Sequence, residues 1–240
     1  MTEIVPAILV KNYEELKNKI ALVRGVVPIV QVDICDGVFA PSLTWPFLSP
    51  QDTDGEFKDN DFDAHFRGIL NEREGLPFWE DVDFELDLMV YGAVENFDTY
   101  LRLGARRIIF HLEAMADLEE FRNFLEGIDN YIRDVVEIGV AIRPSTPSEL
   151  LDPLVPFIDY VQFMGNDKIG FGGVSLDEQV CDKIKSFRAK YKDIPISVDI
   201  GVNNETAPKL VASGATRLSA GSAIFNTDDI IGAVERLTNL

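Results

Sequence analysis

Short apolar runs rich in β-branched residues alternate along this chain with longer stretches whose apolar residues recur every three or four positions. The first kind occupies residues 3–9, 29–33, 84–89, 107–111, 136–142, 160–164, 196–199 and 217–219. Each is short enough for one strand of a buried parallel sheet. Amphipathic stretches follow over residues 13–23, 94–103, 118–128, 147–154, 176–191 and 205–213, with a last one ending near Leu237. Phe62, Phe66, Ile69 and Leu70 fall on one helical stripe that Gly75-Leu76-Pro77 terminates. Strand–helix alternation of this kind predicts βαβ units around a parallel sheet. Eight repeats without a linker predict one α/β domain over residues 1–240, a (β/α)8 TIM barrel; a doubly wound open sheet is the alternative that count and length disfavour. The polar connection 47–60 exceeds the usual βα loop of roughly 2–6 residues and is expected to form a lid.

Composition narrows the partners. A 46% hydrophobic content supports a sizeable core, and no stretch approaches the roughly 20 apolar residues of a membrane span. Met1-Thr2-Glu3-Ile4 lacks the pattern of a secretory signal, and two cysteines, Cys35 and Cys181, are too few for a disulfide framework. A cytoplasmic protein is expected. The net charge of -19 argues against nucleic acid and anionic membranes. Residues 51–85 hold twelve Asp/Glu against three Lys/Arg, which reads as a solvated loop and helix face.

In such barrels chemistry sits where strands end and βα loops begin. Two glycine-bearing loops stand there: Gly170-Phe171-Gly172-Gly173 after the sixth strand, and Ala220-Gly221-Ser222-Ala223 after the eighth, opening a helix. Glycine lets backbone N–H groups approach phosphate oxygens, and a helix N-terminus favours an anion. Together they predict a phosphate cradle. Gln31 and Asp33 share one face of the second strand, Asp87 lies in Leu86-Asp87-Leu88-Met89, and Asp199 ends an apolar strand. A buried Asp is costly unless paired or metal-bound, so three near one rim suggest convergence, against the plainer reading of helix caps.

The segments Val5-Pro6-Ala7-Ile8-Leu9, Val32-Asp33-Ile34-Cys35-Asp36-Gly37, Leu88-Met89-Val90 and Phe110-His111-Leu112-Glu113-Ala114 occur in order, followed by both glycine loops and Val198-Asp199. This series resembles the signatures of the ribulose-phosphate 3-epimerases. The resemblance implies a metal-dependent barrel that inverts C3 of a pentulose 5-phosphate, with metal held by two His and two Asp. It assigns the acid/base positions to Asp33 and Asp199, and the two histidine positions to Gln31 and Asp87. It also implies phosphate or substrate contacts at Ala7, Met89, Gly170, Phe171, Gly172, Gly173, Gly201, Gly221 and Ser222. A phosphorylated ketose is the implied partner and a homo-oligomer the implied assembly. Serine, customary in the first motif, is Ala7, and the first glycine after Asp199 is Ile200.

Three aspartates with an amide give an all-oxygen set of charge -3, which favours Mg²⁺ or Mn²⁺ over Zn²⁺. Without a cation, two carboxylates about 4 Å apart repel by roughly 4 kcal/mol at an effective dielectric near 20, so one tends to hold a proton. Three functions compete. The first is epimerase or isomerase chemistry by proton abstraction alpha to a carbonyl. The second is a non-catalytic sugar-phosphate binder that has lost its metal, leaving no cofactor. The third, lyase chemistry, is disfavoured because Cys35 stands where related barrels place lysine. His111 is expected to be a satisfied strand-end histidine and His65 to be solvated, while Arg143 reads equally as an anion contact or an ion-pair partner.

Overall fold

A computed structural model describes residues 2–52, 57 and 61–239 of the chain. Eight parallel strands form a closed barrel in sequence order, β1-β2-β3-β4-β5-β6-β7-β8, with β8 returning to pair with β1. They are β1 (Glu3–Ile8), β2 (Ile29–Cys35), β3 (Asp83–Met89), β4 (Arg107–His111), β5 (Glu137–Ile142), β6 (Tyr160–Met164), β7 (Ile196–Asp199) and β8 (Arg217–Ala220). The barrel expected from the alternation is present, and the open sheet is excluded. The helices are α1 (Tyr13–Val23), α2 (Ala64–Leu70), α3 (Phe97–Leu101), α4 (Leu118–Gly127), α5 (Asn130–Arg133), α6 (Gln179–Lys190), α7 (Ala207–Ser213), α8 (Ser222–Phe225) and α9 (Ile230–Thr238). Where a helix was expected over 147–154, the chain instead makes two 3-10 turns, Ser148–Leu151 and Val155–Phe157. Pro153, inside that span, lacks the N–H that an α-helical continuation would donate.

Alternation decides which residues face outward. Ile4 and Ile8 of β1, Val30, Val32 and Ile34 of β2, and Leu86 and Leu88 of β3 pack with helix residues such as Leu16, Ile20 and Phe66 in one continuous core. The opposite parity points inward, and there the barrel is unusually polar. At the strand starts, Arg107 meets Glu3 at 3.0 Å, Glu137 at 3.2 Å and Glu85 at 3.6 Å, while Arg217 reaches Glu3 at 3.1 Å and Glu137 at 2.8 Å. Tyr160 donates to Glu85 at 3.2 Å, and a Cβ at Gly139 would run into the Tyr160 ring. This ion network closes the floor and leaves the opposite rim for chemistry.

The enlarged connection is anchored at both ends. Leu48 N–H donates to Asp61 O at 2.7 Å, Asp63 N–H to Pro46 O at 2.9 Å, and Phe62 lies against Phe47 and Phe57 with ring centroids 5.4 and 4.8 Å away. Residues 53–56 and 58–60 of the expected lid lie outside the described part. His65 is solvent-accessible, as expected, with its side chain 42% exposed, while one ring face stacks on Tyr13 at 3.9 Å and Nδ1 lies 2.8 Å from Glu74. Among the described residues, no helix is long and apolar enough to cross a membrane.

Candidate functional site

The strand ends converge on a cavity of about 250 Å³ at the C-terminal rim. Its lining includes Ala7 of β1, Asp33 of β2, Met89 of β3, Asp199 of β7 and Ser219 of β8, with Gly170, Phe171, Gly172, Gly173, Gly201, Gly221 and Ser222 from the loops. Every phosphate or substrate residue expected from the sequence therefore borders this one space. Gln31 and Asp87, expected as metal ligands, do not border it. Both are fully buried: Gln31 bonds to Asp33, and Asp87 is the register partner of Asp33 on β3.

Asp33 and Asp87 sit side by side in the β2–β3 register, and Asp199 comes from β7, beyond β1 and β8. One oxygen from each of Asp33, Asp87 and Asp199 falls within 4.8 Å of the others. Gln31 Nε2 donates to Asp33 Oδ1 at 2.7 Å, and Ile200 N–H donates to Asp199 Oδ1 at 2.8 Å. Gln162 of β6 donates to Asp87 Oδ2 at 3.2 Å, and His111 of β4 lies 2.7 Å from Asp87 Oδ1. Two other strands, β4 and β6, thus hold the Asp87 carboxylate in place.

Burial followed by repulsion from Asp87 pushes the Asp33 carboxyl up to about 7, opposed by the Gln31 amide and by Lys19. The same causes, burial and then the charges of Asp33 and Asp87, push Asp199 well above the carboxylate range. Such a cluster demands a positive partner, either a shared proton or a cation. The donors fit a hard divalent ion: three carboxylate oxygens lie close together, and turning over the Gln31 amide, which now presents Nε2 to Asp33 and leaves Oε1 without a hydrogen-bond partner, would add a fourth oxygen.

The cradle is shaped by its glycines. Gly201 has φ +75°, and a Cβ there would stand 2.5 Å from Leu176 N, so only glycine lets these two loops meet. Its neighbour Ile200 has φ +74°, an outlier for a β-branched residue, and it borders the cavity beside Asp199. Asp36, part of the quoted motif, is structural: its oxygens accept from Val38, Phe39 and Tyr91 N–H at 2.8, 2.8 and 2.9 Å, tying the loop after β2 to the end of β3.

The model of the ribulose-phosphate 3-epimerase family matches residues 74–225 of the chain. The chain belongs to this family. Relatives extend the likeness beyond that span: the ribulose-phosphate 3-epimerase of Bacillus subtilis (strain 168) is 27% identical over 99% of this chain and 98% of its own length. That of Chlamydia pneumoniae is 28% identical over 84% of this chain and 77% of its own. Solved structures agree on the barrel. A 3-hexulose-6-phosphate synthase superposes with a TM-score of 0.59 at 17% identity, covering 100% of this chain and 99% of its own. A 3-keto-L-gulonate-6-phosphate decarboxylase from Vibrio cholerae reaches 0.65 at 12% identity, covering 100% and 97%. At such identities the structures speak for the fold alone.

Sequence reasoning missed part of the site. Lys19 of α1 and Phe225 of α8 border the cavity, as do Leu9, Val174, Val202 and Asn226. Gln162 had no signal either, although its inward parity on β6 and buried position make it a partner of Asp87. His111 is satisfied at Nε2 by Asp87, as expected, while its Nδ1 has no hydrogen-bond partner. Arg143 pairs with no carboxylate side chain among the described residues; its guanidinium lies over the Phe39 ring at 4.7 Å.

Proposed function

We propose that this protein is a sugar-phosphate epimerase that inverts a carbon alpha to the carbonyl of a phosphorylated ketose, with ribulose 5-phosphate the first substrate to test. The observation that carries this reading is that Asp33 and Asp199, from β2 and β7, border the same cavity as both glycine loops. A phosphate held by the N–H groups around Gly172, Gly173, Gly201, Gly221 and Ser222 leaves the sugar carbons extending toward the two carboxyls.

One carboxylate removes the proton alpha to the carbonyl, and the C–H electron pair moves through the new C=C bond onto the carbonyl oxygen. The other carboxyl, protonated at the outset, delivers its proton to the opposite face of the same carbon. This requires one ionised and one protonated aspartate, the state that burial and mutual repulsion favour. Met89, with Met164 behind it, presents an apolar floor that limits exchange with water. A divalent cation held by Asp33, Asp87, Asp199 and Gln31 would supply electrostatic stabilisation of the enediolate oxygens. An all-oxygen donor set favours Mg²⁺ or Mn²⁺ over Zn²⁺ for that role.

A second reading, sugar-phosphate binding without turnover, draws on the engagement of both Asp87 oxygens by His111 and Gln162, which makes Asp87 a buried tether. Turnover of ribulose 5-phosphate by wild type, Asp33→Asn and Asp199→Asn separates the two. Epimerisation that either variant abolishes, with phosphate binding retained, supports the two-aspartate mechanism. A wild-type protein that binds inorganic phosphate yet exchanges no C3 proton with deuterated water is a binder.

A further inference from the structure

Among the described residues that line the reaction cavity, the single side-chain cation is Lys19. It comes from the middle of α1, not from a strand end or a βα loop. Helical side chains lean toward the helix N-terminus, and α1 begins at the catalytic rim, so the Lys19 stem runs back toward that rim. Its Nζ ends 3.5 Å from Leu9 O, just beyond β1, and 5.0 Å from the centroid of the Phe225 ring. An ammonium has three donors, and one carbonyl at that limiting distance occupies at most one of them.

The place matters. Phe225 closes the short helix α8 that Gly221-Ser222 opens, and a Cβ at Gly221 would lie 3.2 Å from Ala7 O. The amine therefore stands at the seam between β1 and β8, on the side of the cavity formed by the Gly221-Ser222 half of the cradle. A phosphate dianion entering this space meets Asp33 and Asp199 at its wall, with Asp87 behind them. Backbone N–H groups answer that repulsion with partial charges only. The chain as a whole adds to it, with a net charge of -19. A full positive charge at the seam offsets both.

We propose that Lys19 binds the substrate's phosphate group, adding a side-chain cation to the backbone cradle of Gly172, Gly173, Gly221 and Ser222. The assignment rests on the phosphate reading of that cradle. The competing role for the amine is counter-ion to Asp33, which faces it from β2, as Glu15 does from its own helix.

Calorimetric titration of wild type, Lys19→Met and Lys19→Arg with inorganic phosphate, and separately with Mn²⁺, tests it; thermal unfolding checks that each variant is folded. Lys19→Met should weaken phosphate by about tenfold or more, as expected for loss of a charge-assisted contact, and Lys19→Arg should keep most of the affinity. Mn²⁺ affinity should not fall in either variant. In turnover, Lys19→Met should raise KM for ribulose 5-phosphate far more than it lowers kcat. Phosphate affinity in Lys19→Met within about twofold of wild type, with tighter Mn²⁺ binding, assigns the amine to Asp33 and overturns the proposal. Wild type that binds no phosphate overturns the cradle reading, and this role with it; wild-type binding that Lys19→Met retains overturns the role of Lys19 alone.

Discussion

His111 Nε2 and Asp87 Oδ1 meet at 2.7 Å, and neither side chain has any exposed surface. The contact joins β4 to β3 inside the barrel, beside Asp33 of the cavity wall. It explains how a carboxylate is accommodated where the family resemblance leads one to expect a histidine: Asp87 has a neighbour from β4 and a donor from β6.

Breaking this pair from one side leaves a buried group short of a partner. His111→Leu should destabilise the fold by about 2–4 kcal/mol, read as a lowered urea midpoint at unchanged slope. The double variant His111→Leu/Asp87→Leu should recover part of that loss, because no charge is then stranded. Strictly additive losses would show that the two residues do not act as a unit.

Ile200 holds φ +74° between Asp199 and Gly201. A left-handed residue with a Cβ costs roughly 1–2 kcal/mol, which glycine avoids. Ile200→Gly should therefore be more stable than Ile200→Ala by about 1 kcal/mol, the reverse of the ordinary order. Equal stabilities, or the ordinary order, would mean that the backbone here relaxes.

Asp33 and Glu85 are both raised to about 7, chiefly by burial. The native state then holds protons that the unfolded chain releases near pH 4, so their contribution is fully present below that point and is lost as pH rises through 7. In the presence of a chelator, stability to urea should fall between pH 5 and pH 7.5, by an amount on the order of a few kcal/mol. Saturating Mg²⁺ or Mn²⁺ should flatten the slope by binding the ionised cluster. A stability that rises over this range without cation would show that these carboxyls are ionised at little cost.

The donor set can be reversed. Gln31→His with Asp87→His should convert weak binding of Mg²⁺ and Mn²⁺ into tight binding of transition metals, since imidazole suits them better than amide or carboxylate oxygen. Calorimetry with Zn²⁺ and Mn²⁺ on both proteins checks this. A double variant that binds neither ion would leave the three carboxylates without the geometry of a metal site. Wild type purified with stoichiometric Zn²⁺ would show that its ligands are others.

Much of this was readable from local pattern. Strand parity placed Asp33 and Asp199 inward, and glycine at two strand ends marked the cradle, because alternation and backbone freedom are properties of a few consecutive residues. The eightfold repeat implied the barrel for the same reason. What the chain order cannot express is which ends become neighbours. Closure brings Ala7 against Gly221 and places Asp33 within reach of Asp199 across β1 and β8. It sets His111 and Gln162 on either side of Asp87, three residues from three strands with no shared motif. Lys19 looks like one more solvated helix charge until α1 lies against the barrel and its stem turns back to the rim. Residue type and parity settle which face a side chain takes; strand register and helix docking, summed over the closed ring, decide what it meets there.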